Sequence, residues 1–306
     1  MSVATRLRRT WATFIGADAT VPVAHDPPPA GGDRFLDWVP PGHFYSIVPG
    51  PHDVERAKRR EVEAGPTLPG IALPGGLVAH FRERAALVRT WDGGADRRGR
   101  YYAPNLAFDI GDALMLRATL LLSRPARLVE VGSGWSSACT LDAIDEAGLA
   151  TQVTFIEPYP ENLLARLRPA DHDRVEIRQA PVQDVPTEVF GSLEAGDILF
   201  IDSSHVFKPG SDVDDYFARI LPALKPGVHV HIHDIFWPFE VPGDWLDEGR
   251  AWNEGHALRN FLCDNPRWEI TVFNNYFHRF HRDVLAEELP QQLENTGGSI
   301  WLRKLS

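Results

Sequence analysis

Residues 128–137 read LVEVGSGWSS, a short β-branched run that ends at a glycine turn and continues into a helix-compatible segment. This order predicts a strand, a tight turn and a helix N-terminus. Glycines let a ligand approach the backbone closely, and the first helical turn offers free N–H groups. Ser137 stands where the dinucleotide-binding fingerprint has its third glycine. By itself the turn therefore indicates either a nucleoside site or a βα turn without a ligand.

Segments typical of strands and helices alternate around this turn. Alternation predicts βαβ crossovers, and hence a Rossmann-like α/β fold with a seven-stranded, mostly parallel sheet and helices on both faces. The last two strands lack a clear helix-length apolar segment between them, so we expect one of them to run antiparallel in a hairpin-like pair. The predicted strands are 127–132, 153–158, 174–179, 197–204, 227–234, 267–275 and 299–304, and the predicted helices are 109–123, 136–148, 160–168, 212–221 and 250–263.

The N-terminal third has a different character and suggests three regions in the whole chain. Residues 1–32 are interpreted as a tail and a proline-rich linker, because 22–32 read PVAHDPPPAGG. Residues 33–105, with predicted helices at 52–63 and 76–91, are interpreted as an N-terminal helical cap or substrate subdomain. Residues 106–306 hold the sheet and the glycine turn.

Composition and charge narrow the partners. The 306 residues are 43% hydrophobic, and 42 acidic against 31 basic side chains give a formal charge of −11. An acidic chain is a poor binder of polyanions, so we expect no nucleic-acid partner. A run of 18 apolar residues is lacking, which disfavours a membrane span. Asp18 interrupts the apolar patch after the N-terminal arginines, so we predict a cytoplasmic protein without a signal peptide. Cys139 and Cys263 are expected to be buried free thiols.

Two acids near the turn identify the kind of nucleoside. Glu157 ends the second strand, where a carboxylate can accept hydrogen bonds from both ribose hydroxyls. Glu130 precedes the first glycine, and a carboxylate there repels a pyrophosphate but suits an ammonium or sulfonium group. S-adenosylmethionine (SAM) carries both cations and no phosphate. A strand acid bonded to a neighbouring backbone N–H is the alternative interpretation of Glu130.

These features resemble the class I SAM-dependent methyltransferases over about residues 105–306. The resemblance rests on EVGSG at 130–134, on Glu157 and on FIDSSH at 200–205. More narrowly, GHFYS (42–46), LKPGVHVHIHDIFWPFE (224–240) and EGRAWNE (248–254) are similar to a bacterial branch related to the macrocin O-methyltransferase and cephalosporin-hydroxylase-like families.

The resemblance implies roles for particular residues and makes 106–306 the SAM-binding domain. Gly132 and Gly134 are then expected to pack against the methionine part of SAM, and Glu157 to hold the ribose. Asp184, after the third strand, is a candidate acceptor for the adenine amino group. Tyr102 and Asn105 are candidates to close over the cofactor.

A polar cluster follows the fourth and fifth predicted strands. Asp202 and Asp234 are hard oxygen ligands suited to Mg²⁺ or a similar ion, and His205 is placed to act as a general base. His233 stands where the resembled family has an acidic ligand, so a softer metal, or none, remains open. His229 and His231 lie deeper in the strand and are expected to be satisfied structural histidines, with His233 as the next candidate base.

The favoured hypothesis is a SAM-dependent methyltransferase that carries out metal-assisted O-methylation of a small-molecule or glycoside hydroxyl. A nicotinamide-dependent oxidoreductase is an alternative on the same turn. A metal-dependent hydrolase or oxygenase built from His205, Asp202 and His233 is another, and a SAM-binding protein without catalysis is the last.

Overall fold

The computed structural model describes residues 39–40, 42–105 and 107–306. The predicted tail and linker over 1–32 lie outside the described residues. The rest of the chain contains every strand and helix predicted from residue 52 onward, with bounds that differ by a few residues at most ends.

The described part of the chain forms a seven-stranded sheet with the order β3-β2-β1-β4-β5-β7-β6. Strands β1 to β5 pair in parallel, and β7 runs antiparallel to both β5 and β6. The predicted Rossmann-like α/β fold is confirmed. The strands are β1 Arg127–Val131, β2 Gln152–Ile156, β3 Val175–Arg178, β4 Ile198–Ile201, β5 His229–His233, β6 Trp268–Phe273 and β7 Ser299–Lys304.

Helices of the described residues connect and cover these strands. The connections from β1 to β2, β2 to β3 and β3 to β4 are shorter than those from β4 to β5, β5 to β6 and β6 to β7. The helices are Pro51–Glu63, Leu77–Val88, Ile110–Ser123, Trp135–Ala147, Glu161–Leu164, Thr187–Gly191, Asp212–Asp215 with its continuation Tyr216–Ile220 and Leu221–Ala223, Gly243–Asp247, Glu254–Leu262, Asn274–Phe280 and Arg282–Glu288.

The connection between β6 and β7 corrects one expectation. The antiparallel course of β7 is as predicted, but the two strands do not form a simple hairpin, because helices Asn274–Phe280 and Arg282–Glu288 lie between them. The first of these helices reads NNYFHRF, and its polar residues interrupt the apolar pattern by which a buried helix face is predicted from sequence. Phe277 is nevertheless fully buried and stacks on Phe81 with ring centroids 4.4 Å apart.

Register brings the ends of the central strands to one edge. Val131 at the end of β1 is paired with Ile156 of β2 and Ile201 of β4, and Ile201 is paired with Ile232 of β5. Each of these strands is buried at its C-terminal end. The residues that follow them therefore lie side by side, which is where open α/β sheets bind ligands.

The chain divides into two compact units. One comprises the described residues up to 62 together with 242–251, and within it Lys58 pairs with Asp247 at 2.5 Å. The other comprises residues 63–241 and 252–306 and contains the whole sheet. Within that unit, helix Leu77–Val88 buries Phe81, Ala85 and Val88. The predicted division at residues 32 and 105, and the role of 33–105 as a cap, stay predictions.

Two further sequence expectations concern apolar segments and thiols. Among the described residues, no helix combines the length and the apolar character needed to cross a bilayer. Cys139 is a buried free thiol, as predicted. The prediction was wrong for Cys263, which is free but exposed, because it lies just beyond the end of helix Glu254–Leu262.

Candidate active site

The two glycines of the turn have different surroundings. Gly132 has a φ of +79°, and a Cβ built on it would lie 1.6 Å from the carbonyl oxygen of Asp202. A Cβ on Gly134 would meet no heavy atom of the described residues within 4 Å. Gly132 thus lets the turn touch the loop after β4, whereas Gly134 leaves open space at the N-terminus of helix Trp135–Ala147. This space, with its free N–H groups, is suited to a bound ligand.

Glu157 is fixed against the turn by backbone groups. The amide of Ser133 donates to its Oε2 at 3.0 Å, and the amide of Tyr159 donates to its Oε1 at 2.9 Å. Burial raises the pKa of this carboxyl. A carboxylate oxygen can accept more than one hydrogen bond, so both oxygens keep acceptor capacity for a pair of vicinal hydroxyls.

Glu130 lies beneath the turn and is fully buried. The hydroxyls of Ser136 and Ser137 donate to its Oε1 at 2.6 and 2.7 Å, while its Oε2 has no hydrogen-bond partner in the described residues. The alternative interpretation of a bond to a neighbouring backbone N–H is thus not observed, because the hydroxyls of the following helix take that place. Burial raises the pKa of Glu130 to about 8, so the ligand-free protein holds this carboxyl protonated at neutral pH.

This raised pKa predicts a pH-dependent stability. The folded state keeps a proton that the unfolded chain releases near pH 4.5, so the stability contribution of Glu130 is complete below that pH and is lost as pH rises through about 8. Between these limits, Glu130→Gln should remove a decline of up to about 1.4 kcal/mol per pH unit. Denaturant unfolding of the two proteins from pH 5 to 9 measures this difference. Glu188→Gln, a substitution at an exposed position, is the control. If the stability of Glu130→Gln followed the same pH dependence as that of the parent, the assignment to Glu130 would be contradicted.

The three remaining candidates for SAM contacts have distinct environments. Asp184 is exposed and ends a short 3₁₀ turn. Tyr102 packs edge-on against Trp135 at 4.7 Å. The amide of Asn105 donates to the carbonyls of Tyr102 and Phe108, and its Oδ1 accepts from two backbone amides of the same loop. Asn105 therefore shapes this loop, and direct contacts of all three residues with SAM stay predictions.

The loops after β4 and β5 bring His205 to two carboxylates. Its Nε2 lies 3.4 Å from Oδ1 of Asp202 and 3.5 Å from Oδ2 of Asp234. His205 and Asp234 both have left-handed backbone conformations, with φ of +59° and +55°. Non-glycine residues rarely adopt this conformation, and they do so mostly at functional sites and turns. The predicted neighbourhood of Asp202, His205 and Asp234 is therefore observed.

Sequence reasoning assigned no role to Glu254, which holds the other side of the His205 ring. Its Oε2 lies 3.0 Å from Nδ1 of His205, and both groups are buried. The amides of Asn253 and Glu254 also donate to the carbonyl of His205 at 3.2 Å. The ring of Trp252 lies 4.6 Å from that of His205. The only sequence signal for these contacts with His205 was the EGRAWNE motif at 248–254.

The three carboxylates set the charge of His205. Burial lowers the pKa of His205, but Asp202, Glu254 and Asp234 outweigh it and hold this pKa well above the usual value. Burial likewise raises the pKa of Asp202, but His233 and His205 outweigh it and hold the pKa at about 2. Asp202 is therefore ionised, and His205 is a strong base whose Nδ1–H faces Glu254.

A possible metal site lies next to this histidine. Asp202, His233 and Asp234 each offer one ligand atom, and these atoms all lie within 4.8 Å of one another. Two carboxylates and an imidazole form a donor set that fits a divalent cation. The geometry thus brings together the predicted metal ligands and places His205 beside them.

The deeper histidines of β5 are only partly satisfied. Nε2 of His231 lies 3.4 Å from Nδ1 of His233, and the His231 ring stacks on Phe200 at 3.9 Å. In the described residues, however, Nδ1 of His229 and Nδ1 of His231 lack hydrogen-bond partners. Burial lowers the pKa of both, to about 4 for His229, so both rings are neutral. The prediction of fully satisfied structural histidines was therefore wrong for one nitrogen of each ring.

Comparisons with known proteins identify the family. Residues 129–235 match the family described as "Methyltransferase domain". An uncharacterized protein of Archaeoglobus fulgidus is 32% identical over 163 residues, which are 51% of this chain and 73% of that protein. The chain belongs to this methyltransferase family and is a class I SAM-dependent methyltransferase. The oxidoreductase and the hydrolase or oxygenase hypotheses are thereby disfavoured.

Solved structures with similar folds have low sequence identity. The O-methyltransferase TomG of Streptomyces achromogenes, solved with SAM, gives a TM-score of 0.43 at 17% identity, covering 83% of this chain and 99% of its own. The methyltransferase PaMTH1 of Podospora anserina, solved with S-adenosylhomocysteine, gives 0.41 at 19% identity, covering 85% and 99%. With TM-scores below 0.5, neither structure defines the acceptor of this chain.

Proposed function

We propose that this enzyme transfers the methyl group of SAM to a hydroxyl oxygen of a small molecule or glycoside, with His205 as the base and a divalent metal beside it. The observation that carries the proposal is the contact between Gly132 and the carbonyl of Asp202. This contact joins the turn that would hold the methyl donor to the loop that carries His205 and a candidate metal ligand. Donor, base and acceptor oxygen can therefore meet at one edge of the sheet.

The SAM site proposed here uses the turn and its two acids. The ribose hydroxyls donate to Glu157, whose carboxylate the amides of Ser133 and Tyr159 hold in place. The methionine part occupies the open space above Gly134, with Gly132 forming the turn below it. The carboxyl of Glu130 lies beneath this turn, where its Oε1 accepts from the hydroxyls of Ser136 and Ser137. Asp184, Tyr102 and Asn105 remain candidates for the adenine end. Bound SAM supplies an electrophilic methyl group on sulfur.

The proposed base is positioned by its own neighbours. The Glu254 carboxylate accepts from Nδ1–H of His205, which leaves Nε2 on the side of Asp202 and Asp234. Because the carboxylates raise the pKa of His205, its ring is protonated in the metal-free protein. A divalent ion held by Asp202 and Asp234 would offset their charge and lower this pKa, and with Nδ1–H held by Glu254 the neutral ring would then present Nε2 to accept the proton of an acceptor hydroxyl. Trp252 covers one face of the ring and limits its rotation. Asp202, His233 and Asp234 would hold the metal, which lowers the pKa of a hydroxyl bound to it.

The partners and the compartment follow as parts of this proposal. The enzyme acts on a small-molecule acceptor in the cytoplasm, without a nucleic-acid or membrane partner. The net charge of −11 and the two free cysteines support this inference.

The activity is tested with methyl-labelled SAM and a low-molecular-mass fraction of host extract. We expect label to enter hydroxyl-bearing small molecules, to stop with a chelator and to resume on addition of a divalent ion. Transfer that persists in a thorough chelation would remove the metal from the mechanism. Label that appears only on nitrogen or carbon would contradict O-methylation.

The ribose assignment is tested by Glu157→Ala. Removing the acceptor of two hydroxyl hydrogen bonds, each worth about 1.5–3 kcal/mol with a charged partner, should weaken SAM binding at least about tenfold. Calorimetric titration with SAM measures the change. Glu188→Ala is the matched control, because Glu188 is an exposed acid of helix Thr187–Gly191. Parental affinity in Glu157→Ala would mean that the ribose binds elsewhere.

A further inference from the structure

The donor set beside His205 contains a nitrogen ligand. Oδ1 of Asp234 lies 3.7 Å from Nε2 of His233, and the candidate ligand atoms of Asp202, His233 and Asp234 lie within 4.8 Å of one another. Mg²⁺ prefers six oxygen ligands and usually keeps several waters, whereas imidazole suits later first-row metals such as Fe²⁺, Ni²⁺, Cu²⁺ and Zn²⁺. One imidazole among three protein ligands therefore favours a transition metal over Mg²⁺.

The contact behind His233 prepares this nitrogen for a metal. Nδ1 of His233 lies 3.4 Å from Nε2 of His231. A neutral imidazole has one donor and one acceptor nitrogen, so His233 with a metal on Nε2 carries its proton on Nδ1 and donates it to His231. Such a partner behind a ligating histidine fixes the tautomer and the ring orientation.

Packing holds both rings in this arrangement. His231 is fully buried, with its ring stacked on Phe200 at an interplanar angle of 7°. Phe108 packs against the His233 ring, with centroids 5.3 Å apart. His233 is only 5% exposed, and its Nε2 lies 3.7 Å from Oδ1 of Asp234, so its ring is held with this nitrogen next to the carboxylate.

We propose that this site selects a divalent first-row transition metal over Mg²⁺, with Asp202, Asp234 and Nε2 of His233 as ligands and His231 as the hydrogen-bond partner that orients His233. The inference rests on the proposed function for the place of the metal. It goes further in assigning the metal class and a role for His231.

The experiment titrates the metal-stripped 306-residue chain with Co²⁺, followed by visible absorption, and with Mg²⁺ in competition. We expect one Co²⁺ to bind and an excess of Mg²⁺ not to displace it. X-ray absorption at the cobalt edge should show scattering from one imidazole. Displacement of Co²⁺ by Mg²⁺ at similar concentrations, or a coordination sphere of oxygen alone, would overturn the proposal.

Three variants assign the preference to particular residues. His233→Glu should bring the ratio of the Mg²⁺ and Co²⁺ dissociation constants close to one and abolish the imidazole signal. His231→Phe, which keeps a ring on Phe200, should weaken Co²⁺ binding by about 10–100-fold without changing the ligands. The exposed His172→Gln is the control and should bind as the parent does. A His233→Glu protein that keeps both the preference and the imidazole signal would overturn the assignment.

The same preparations test the proposed O-methylation and the proposed metal preference independently of each other. Methyl transfer and SAM affinity are measured on the same preparations, with Co²⁺ bound and with the metal removed. A protein that binds Co²⁺ through His233 and binds SAM, yet transfers no methyl to any hydroxyl, would refute O-methylation and leave the metal preference standing. Methyl transfer to a hydroxyl with Mg²⁺, together with a cobalt coordination sphere that contains no nitrogen, would refute the metal preference and leave O-methylation standing.

Discussion

His205→Gln is expected to slow methyl transfer by about 10²–10⁴-fold, the usual contribution of a positioned base. Glutamine can keep a hydrogen bond to Glu254 but cannot accept a proton at the position of Nε2, 3.4 Å from Asp202 and 3.5 Å from Asp234. SAM affinity should stay at the parental value, because no proposed SAM contact involves this ring. Single-turnover transfer of labelled methyl and calorimetric binding of SAM separate the two effects.

Glu254→Gln tests the positioning of the same base. Glutamine can still accept from Nδ1–H, but it removes one of the carboxylates that raise the pKa of His205. The imidazole then loses its proton at lower pH, so the acid limb of the rate profile should move to lower pH. A structural role alone would leave that limb in place. His172→Gln is the control, since this histidine is exposed. For the preceding variant, His205→Gln, an unchanged rate of methyl transfer would contradict the assignment of His205 as the base and make His233 the next candidate.

The sequence predicted those parts of the site that follow strand ends. Gly132, Glu157, Asp202 and Asp234 each lie at or just beyond the end of a strand, and parallel pairing brings such positions together whatever the loops do. Alternation of strand and helix patterns also predicted the sheet. These inferences depend on periodicity and chain order, which are local properties of the sequence.

The missed features depend on contacts between distant segments. Glu254 begins a helix 49 residues after His205, and backbone hydrogen bonds from its own turn bring it to the ring. The helices between β6 and β7 have polar sequences, and the contact of Phe277 with the distant Phe81, which packs the first of them, has no signal in the local pattern. The unpartnered nitrogens of His229 and His231 are likewise invisible in a pattern of alternating residues, which shows a face but not its partners.

The two glycines of the turn give the second large prediction, because the structure assigns them opposite consequences. Gly132→Ala puts a Cβ 1.6 Å from the carbonyl oxygen of Asp202 at a φ of +79°. The left-handed backbone alone costs about 1–3 kcal/mol in a non-glycine residue, and relief of the clash must separate the turn from the loop of Asp202. We therefore expect a lower free energy of unfolding together with loss of methyl transfer.

Gly134→Val should show the reverse pattern. Its new side chain meets none of the described residues within 4 Å of the Cβ, so the unfolding midpoint should stay near the parental value. SAM affinity should fall at least about tenfold, because the branched side chain fills space assigned to the methionine part. Thermal unfolding and SAM titration of both variants give four measurements. A stable, active Gly132→Ala enzyme would show that the turn need not touch Asp202, and a Gly134→Val protein with parental SAM affinity would place the methionine part outside this space. Because Gly134→Val should lose SAM affinity at a nearly unchanged unfolding midpoint, a general loss of folding cannot account for its result.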